Sequence, residues 1–346
     1  MLPSELFTLE GLWFLLAGVF LVGYALTDGF DLGTGIFHLF TKDEKERMVM
    51  MDSIAPVWDG NEVWLIAGGG MLFAAFPVVY AASFSGFYLA IMMVLWALIG
   101  RAVAFEYRNK KESATWRKTW DVIYWLGNFV PALLFGVAVG NAVLGVPIDV
   151  QGRYHGSFFT LLNIPSLMIG IVGLFMFMMH GAAWLLLKTE GSVFEKAKKW
   201  AFVSWLGFVI MLIATDFVLI LVKPELYNNY FKYPLLLIIP LLKVVGLIYF
   251  FKKLMIDREY EKVIWGSSLT VVGTVLTIAC ASFPVFIRST IDPKYNLDIF
   301  NSASSHLTLT VMLIVTIVFL PIVLFYTAYV YRVFKGKVKE GEGYYH

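Results

Sequence analysis

Residues 54–76 read IAPVWDGNEVWLIAGGGMLFAAF, a run that is long and apolar enough to cross a lipid bilayer. Within it Asp59 and Glu62 stand three residues apart, which places both carboxylates on one face of a helix. A charged side chain at the centre of a bilayer costs about 2.5–3.5 kcal/mol on insertion scales, so the two acids require an explanation. One explanation is a position near the helix start, where the dipole favours carboxylates and Pro56 suits the first turn. The other is a polar seam for protons or ions inside a helical bundle.

The composition is that of an integral membrane protein. Hydrophobic residues make up 59% of the 346 residues, charged residues make up 15%, and the mean hydropathy is +0.75. The basic residues lie between the apolar runs and form no patch, so nothing indicates binding of nucleic acid. The single cysteine, Cys280, excludes a disulfide or a cysteine metal cage within the chain. The first ten residues lack a basic region and a small-residue cleavage site, so we expect the first apolar run to remain as a membrane span.

Nine apolar runs are long enough to span a bilayer, so we predict an all-α integral membrane fold with nine transmembrane helices. The runs occupy residues 9–40, 54–76, 78–105, 120–144, 159–187, 200–222, 234–251, 263–287 and 307–333. Short connections predict that sequential helices are antiparallel neighbours. The two longest outer loops divide the chain into a first four-helix bundle with the acidic seam, a second four-helix bundle, and a peripheral ninth helix with a tail. These units correspond to residues 1–150, 151–300 and 301–346.

The distribution of basic residues predicts the orientation of the chain. Lysine and arginine concentrate after the first, third, fifth and seventh runs and in the C-terminal tail, from Arg332 to Lys339. By the positive-inside rule the N-terminus lies outside and the C-terminus is cytoplasmic. The first four helices then place one arginine and six acids at similar depth toward the cytoplasm: Arg101 with Asp28, Asp31, Asp59, Glu62, Glu106 and Asp121.

This acidic group has the properties of a proton-uptake path. Arg101 can pair with one or two of the acids through bidentate hydrogen bonds. The remaining acids cannot all ionise in a low-dielectric setting, so some are expected to hold protons near neutral pH. Such a row of acids, opening to the cytoplasm, is what proton uptake requires. The alternative is that Glu106 and Asp121 are solvated at the interface and that Asp28 and Asp31 bond only to the backbone.

Other polar residues inside the runs give weaker indications. Haem needs an axial ligand, and only His180 of the five histidines lies well inside a run. A lone histidine in a membrane helix more often makes structural hydrogen bonds, so a redox cofactor would need a partner chain for most of its ligands. In the second bundle Asp216 and Lys243 could pair, although Lys243 could equally reach a ligand headgroup or a backbone carbonyl. No catalytic residue and no metal site is predicted.

Three motifs resemble subunit II of the cytochrome bd quinol oxidases. They are TDGFDLG at residues 27–33, WDGNEVW at residues 58–64 and RAVAFEYR at residues 101–108. Further matches are HGA at 180–182, KTEG at 188–191, SASS at 302–305 and the segment 321–337, while residues 194–263 match least. In the second motif Trp58, Asn61 and Trp64 are assigned to packing. The family's Phe-Pro-apolar-Pro-Ser pattern reads FPVFIRS at residues 283–289, which puts the outer surface near that loop in doubt.

The resemblance implies a membrane heterodimer in the cytoplasmic membrane of a prokaryotic cell. A larger subunit I would carry two haems b, one haem d and the quinol site, and the complex would oxidise quinol and reduce dioxygen to water. Subunit II would offer a proton route through the acids that match Asp28, Asp31, Asp59 and Glu106, with Arg101 beside them. A small single-helix subunit and a structural quinone on subunit II occur in the family, and the sequence leaves both open, as it does the cofactor-binding residues.

Two other functions stay open at this point. A proton- or ion-coupled transporter could use the acids of the first bundle together with Asp216 and Lys243. Transporters favour broken helices at the midplane and related halves, whereas the polar residues here gather in one bundle and toward one leaflet. The other open function is that of a structural scaffold in the lipid membrane, in which the acids only pack against a partner chain.

Overall fold

The chain is almost entirely helical in the computed structural model, which describes residues 2–338. The end of the predicted tail, from Lys339 to His346, lies outside the described residues. The helices are α1 (Leu9–Phe37), α2 (Glu44–Ile54), α3 (Trp58–Ala75), α4 (Pro77–Gly86), α5 (Tyr88–Tyr107), α6 (Ala114–Leu144), α7 (Ile164–Lys188), α8 (Gly191–Val222), α9 (Asn228–Lys232), α10 (Ile238–Phe251), α11 (Val263–Ser282) and α12 (His306–Val333).

The count of spans depends on one bent pair of helices. In residues 2–338, eight helices are long and apolar enough to cross a membrane, or up to nine spans if α3 and α4 form one. The chain bends by 120° between these two helices. The bend lies at Phe76, because Pro77 has no N–H and disfavours a helical residue before it. The predicted third span, 78–105, is therefore wrong at its start: α4 is a separate helix and α5 begins at Tyr88.

Close contact between α1 and α7 determines which residues the interior encloses. A Cβ on Gly33 would lie 1.9 Å from the carbonyl oxygen of Phe177, and one on Gly181 would lie 2.3 Å from the backbone nitrogen of Thr34. Only glycine permits this approach of two helix backbones. Around this contact α1 packs against α3, α6, α7 and α11. The acids of the TDGFDLG motif are thereby enclosed on all sides.

The hydrophobic core mixes residues from the two predicted bundles. One cluster contains Leu32 of α1, Ala132 of α6, Phe208 of α8 and Phe250 of α10. The two bundles, their boundaries and their orientation in the membrane stay predictions. The structure also contains one small element that the all-α prediction did not include. It is an antiparallel hairpin of β1 (Val285–Ile287) and β2 (Leu297–Asp298) in the loop before α12.

Candidate functional site

Asp28 and Arg101 form a buried ion pair where α1 meets α5. Arg101 Nη2 donates to Asp28 Oδ1 at 2.6 Å, and Nη1 donates to Oδ2 at 3.3 Å. Both side chains are 0% exposed. Gly127 of α6 makes room for the guanidinium stem, because a Cβ there would lie 2.7 Å from Cβ of Arg101. The bidentate geometry is the one in which a buried pair compensates best for lost hydration.

Glu62 brings a second carboxylate to the same guanidinium. Arg101 Nη2 also donates to Glu62 Oε1. The Glu62 side chain is 21% exposed, whereas the side chains of Asp28 and Arg101 are fully buried. Asp59 lies three residues earlier on α3 and is exposed. The carboxylates of Asp59, Glu62 and Asp28 therefore run from the surface of α3 to the interior of the helical assembly.

Asp31 lies one turn beyond Asp28 on α1 and is also fully buried. Its Oδ2 accepts a hydrogen bond from Asn61 Nδ2 at 2.7 Å. The same amide nitrogen donates to the carbonyl of Thr27 at 3.3 Å, and Asn61 Oδ1 accepts from the Tyr331 hydroxyl at 2.8 Å. The other oxygen of Asp31, Oδ1, is buried without a hydrogen-bond partner in the described part of the chain. A buried carboxylate oxygen of this kind is a position for a proton or a water molecule.

Asp121 belongs to a different cluster. This cluster lies where the C-terminal ends of α1 and α5 meet the N-terminal part of α6. Asp121 is 1% exposed, so the alternative in which interfacial water solvates it is wrong. Its carboxylate is hydrogen-bonded by His38 Nε2 at 2.6 Å, Arg47 Nη1 at 2.5 Å and Arg108 Nε at 2.6 Å. Glu106 lies exposed in the last turn of α5, outside both clusters. The six acids predicted at one depth are thus distributed over three different environments.

Arg108 extends the Asp121 cluster to the short helix α2. Its Nη1 and Nη2 donate to the two oxygens of Glu44 at 2.7 Å and 2.8 Å. The hydrogen bonds from Arg108 lower the pKa of the Glu44 carboxyl, against the opposing effect of partial burial. These ion pairs tie α2 to the ends of α5 and α6. The cluster therefore holds α2, α5 and α6 together, and it is separate from the acids around Arg101.

The WDGNEVW motif combines packing with one polar contact. Trp58 stacks on Phe105 with ring centroids 5.0 Å apart and an interplanar angle of 6°. Trp64 covers Gly23 of α1, where a Cβ would lie 2.4 Å from Cε3 of the indole. Asn61, between the two tryptophans, holds Asp31. The motif therefore places a polar amide inside an aromatic contact between α1, α3 and α5.

His180, the one histidine well inside a predicted run, does not fit haem ligation. His180 Nε2 is 2.9 Å from the carbonyl oxygen of Leu26, and its Nδ1 is 2.8 Å from Ser267 Oγ. Because a carbonyl only accepts, Nε2 carries the proton and both ring nitrogens are engaged. His38 is hydrogen-bonded to Asp121 through Nε2, its ring packs edge to face on Tyr124 with centroids 4.9 Å apart, and its Nδ1 is buried without a hydrogen-bond partner in the described part of the chain. The histidine that the sequence singled out is thus held by structural hydrogen bonds through both of its ring nitrogens.

Asp216 and Lys243 line one cavity of about 90 Å³ between α6, α7, α8, α10 and α11. Their charged atoms do not come within ion-pairing distance in the described structure, so the direct pair that the sequence left open does not form. Thr215 Oγ1, also at this cavity, is buried without a hydrogen-bond partner among residues 2–338. The cavity is separate from the acids of α1 and α3.

Sequence reasoning missed Tyr331 and Lys188. Tyr331 is 270 positions from the Asn61 that it contacts, and it lies near the end of an apolar helix, where tyrosine is ordinary. Lys188 ends α7 and resembles any basic residue at a helix terminus. Both residues lie in segments that resemble the family, KTEG at 188–191 and residues 321–337, but neither resemblance indicated what the side chain contacts.

Comparison with known proteins gives one consistent result. A family model described as cytochrome bd terminal oxidase subunit II matches residues 9–334. The chain is 39% identical to a probable cytochrome oxidase subunit 2 of Haemophilus influenzae and 38% identical to the cytochrome bd-I ubiquinol oxidase subunit 2 of Escherichia coli K12, over 95% of each chain. It is 32% identical to the cytochrome bd ubiquinol oxidase subunit 2 of Bacillus subtilis over 97% of this chain and 98% of the relative.

A solved structure has a similar fold. The bd oxidase from Geobacillus thermodenitrificans superposes with a TM-score of 0.77, covering 94% of this chain and 98% of that chain. The sequence identity of this pair is 15%, so the likeness concerns the fold alone.

Proposed function

The chain belongs to the subunit II family of the cytochrome bd terminal oxidases, and from this premise we propose that its buried carboxylates carry protons into the oxidase complex. It is a multi-pass membrane protein and one subunit of a quinol:oxygen oxidoreductase. The observation that carries the proposal is the hydrogen-bonded run in which the partly exposed Glu62 and the buried Asp28 share one guanidinium. Such a run connects the protein surface with its interior.

The chemistry of the run follows from its charge. One guanidinium cannot neutralise three carboxylates, those of Asp28, Asp31 and Glu62, of which the two aspartates are fully buried. Charge balance therefore favours a bound proton that the acids share. Arg101 keeps the negative charges together and prevents their repulsion from opening the helices. Asp59, exposed at the edge of the site, would collect protons, and Glu62 would pass them inward.

We further propose the surroundings in which this route works. The route would open to the cytoplasm of a prokaryotic cell, because the positive-inside rule places the N-terminal end of α3 on that side. A larger subunit I would hold two haems b and one haem d and would oxidise quinol, and the protons would be consumed when dioxygen is reduced to water. The haems would supply the electron transfer, and this chain would supply protons and a surface for the partner.

The alternatives predict other outcomes. A stand-alone transporter is not favoured by the family membership, and the cavity of Asp216 and Lys243 lies apart from the acid run. A scaffold role would leave turnover insensitive to the acids as long as the complex assembles. The distinction is therefore between assembly and turnover.

The test is to purify the complex through a tag on this chain and to replace the acids one at a time. We expect haem bands in the reduced-minus-oxidised spectrum, a larger co-purifying chain, and about 10-fold or greater loss of oxygen consumption in Asp28→Asn, Asp59→Asn and Glu62→Gln, in the range of a lost general acid–base group. Glu195→Gln, at an exposed acid of α8, is the matched control. Unchanged turnover with normal haem content in all three variants would refute the proton route.

A further inference from the structure

We propose that α12 sets the geometry of the acid site from outside, with Tyr331 as a positioning residue that acts on Asp31 through Asn61. The inference rests on the proposed proton route and extends it, because it assigns the control of one acid to the last helix of the chain. Asp31 itself has no direct contact with Tyr331; the amide of Asn61 lies between them.

The hydrogen bonds of Asn61 define one orientation of its amide. Its Nδ2 donates to the carbonyl of Thr27 and to Asp31 Oδ2, both of which only accept when Asp31 is charged. Its Oδ1 therefore faces α12, where the hydroxyl of Tyr331 donates to it at 2.8 Å. Without that hydroxyl the oxygen would be a buried acceptor with one partner fewer, and the amide could rotate away from Asp31.

Aromatic contacts seat the Tyr331 ring. Its centroid is 6.3 Å from that of Phe30 on α1 and 6.0 Å from that of Trp184 on α7, both edge to face. Phe30 and Trp184 are themselves stacked at 3.9 Å. The hydroxyl therefore reaches Asn61 from a ring that is fixed by two of the central helices.

The other residues of α12 make few buried contacts that could fix the position of Tyr331. A second contact is therefore needed to fix the C-terminal end of the helix. In the described residues of α12 only Leu309, near its other end, is buried. Just beyond the last residue of α12, Lys188 Nζ donates to the carbonyl of Phe334 and to that of Gly336 at 2.6 Å. The backbone nitrogen of Val338 donates to the carbonyl of Lys188 at 2.8 Å. A cation at the C-terminal end of a helix satisfies its free carbonyls, and Lys188 is only 6% exposed.

These contacts form one chain of cause and effect. Lys188 fixes the end of α12, the fixed helix end places Tyr331, and Tyr331 orients Asn61 on Asp31. A shift of α12, which has few other contacts, would change the hydrogen bonding of Asp31 without moving α1. The last helix is thus suited to regulate how the buried acid exchanges its proton.

The experiment compares Tyr331→Phe with Tyr329→Phe in the purified complex. Tyr329 lies on the same helix and is 58% exposed, so its variant controls for the loss of a hydroxyl on α12. We expect Tyr331→Phe to retain its haem, to lose about 5-fold to 10-fold in oxygen turnover, as one lost hydrogen bond allows, and to have a displaced pH profile. In its infrared spectrum the C=O band of the protonated Asp31 carboxyl should lie at a different frequency from that of the wild type. The band is identified as that of Asp31 because it is absent from Asp31→Asn. Tyr329→Phe should match the wild type.

Lys188 provides a second and independent variant. Lys188→Met removes both hydrogen bonds to the tail and should displace the pH profile in the same direction as Tyr331→Phe, with no further change when the two are combined. Lys188→Arg can still donate to both carbonyls and should restore the wild-type profile. If Tyr331→Phe does not assemble, a Lys188→Met complex with a wild-type pH profile overturns the inference, and a displaced profile supports it.

The outcomes separate this inference from the proposed function. If Asp31→Asn does not change turnover, Asp31 is not on the proton route, and both statements about it fail. If Asp31→Asn slows turnover while Tyr331→Phe and Tyr329→Phe are indistinguishable in turnover, pH profile and infrared spectrum, the proton route stands and the positioning role of Tyr331 is refuted.

Discussion

Replacing Arg101 by methionine tests the central ion pair of the acid site. Methionine is unbranched and fills most of the space of the arginine stem, but it carries no charge. In Arg101→Met the carboxylate of Asp28 loses both of its guanidinium hydrogen bonds, and Glu62 loses the one it shares with the same nitrogen. Water cannot replace these hydrogen bonds at the Asp28 carboxylate, because the side chain is 0% exposed.

The expected size of the effect follows from this burial. Removing one partner of a buried pair costs about 3–5 kcal/mol because an uncompensated charge remains. Replacing both partners by well-packed apolar residues of similar volume is often close to neutral, and an amide in place of the carboxylate likewise removes the unpaired charge. The double variant Arg101→Met with Asp28→Asn should therefore recover most of the stability that Arg101→Met loses, although it should not recover turnover.

The assay is thermal unfolding of the purified complex in detergent, followed by tryptophan fluorescence and by haem absorbance. We expect Arg101→Met to have the lowest midpoint, Asp28→Asn an intermediate one, and the double variant a midpoint above that of Arg101→Met. Equal destabilisation in Arg101→Met and in the double variant would refute the reasoning, because the loss would then come from packing and not from an unpaired charge.

Three further predictions use other parts of the structure. Gly33→Ala should destabilise the complex by about 1–3 kcal/mol or prevent its assembly, since the new methyl would meet Phe177 at 1.9 Å, whereas Gly69→Ala has nothing within 4 Å of its Cβ and should be tolerated. Arg108 lowers the pKa of Glu44 in the folded state. Glu44 therefore stabilises the complex at pH values above the ordinary glutamate pKa of about 4.3, and this contribution is lost as the pH falls. Glu44→Gln should weaken the dependence of the unfolding midpoint on acid pH. The substitutions Asp216→Leu and Lys243→Met, made together, should preserve turnover and leave stability unchanged or higher, since the two side chains form no direct ion pair at their cavity in the described structure and burying a charge without a partner costs free energy.

Each of these predictions has a control or a contrary result. Equal unfolding midpoints for Gly33→Ala and Gly69→Ala would contradict the close contact of α1 and α7. For Glu44 the comparison is Glu112→Gln, at an exposed acid in the loop between α5 and α6, and the same acid dependence in both variants would exclude the Arg108 contact as its cause. A loss of turnover in the double variant of Asp216 and Lys243, with haem retained, would bring the second cavity into the proton route.

The acid site shows how far residue spacing predicts contacts. The depth of Asp28, Glu62 and Arg101 followed from their positions in the apolar runs, and these three side chains do meet. Asp59 and Glu106 have the same predicted depth but are exposed, and Asp121 pairs with His38 and two arginines. Depth along a helix is set by sequence position, whereas the direction in which a side chain points depends on the rotation of the helix against its neighbours.

The sequence by itself determined that the chain is a helical membrane protein, where most of its apolar helices lie, and which family it belongs to. These properties are local, since the cost of placing polar groups in lipid acts on each segment separately. Tertiary structure alone decided that α3 and α4 bend apart at Phe76, that Arg101 serves Asp28 and Glu62, and that Tyr331 reaches Asn61. The reason is that these contacts join residues far apart in the sequence, and close packing at glycines such as Gly33 selects among many arrangements of similar helices.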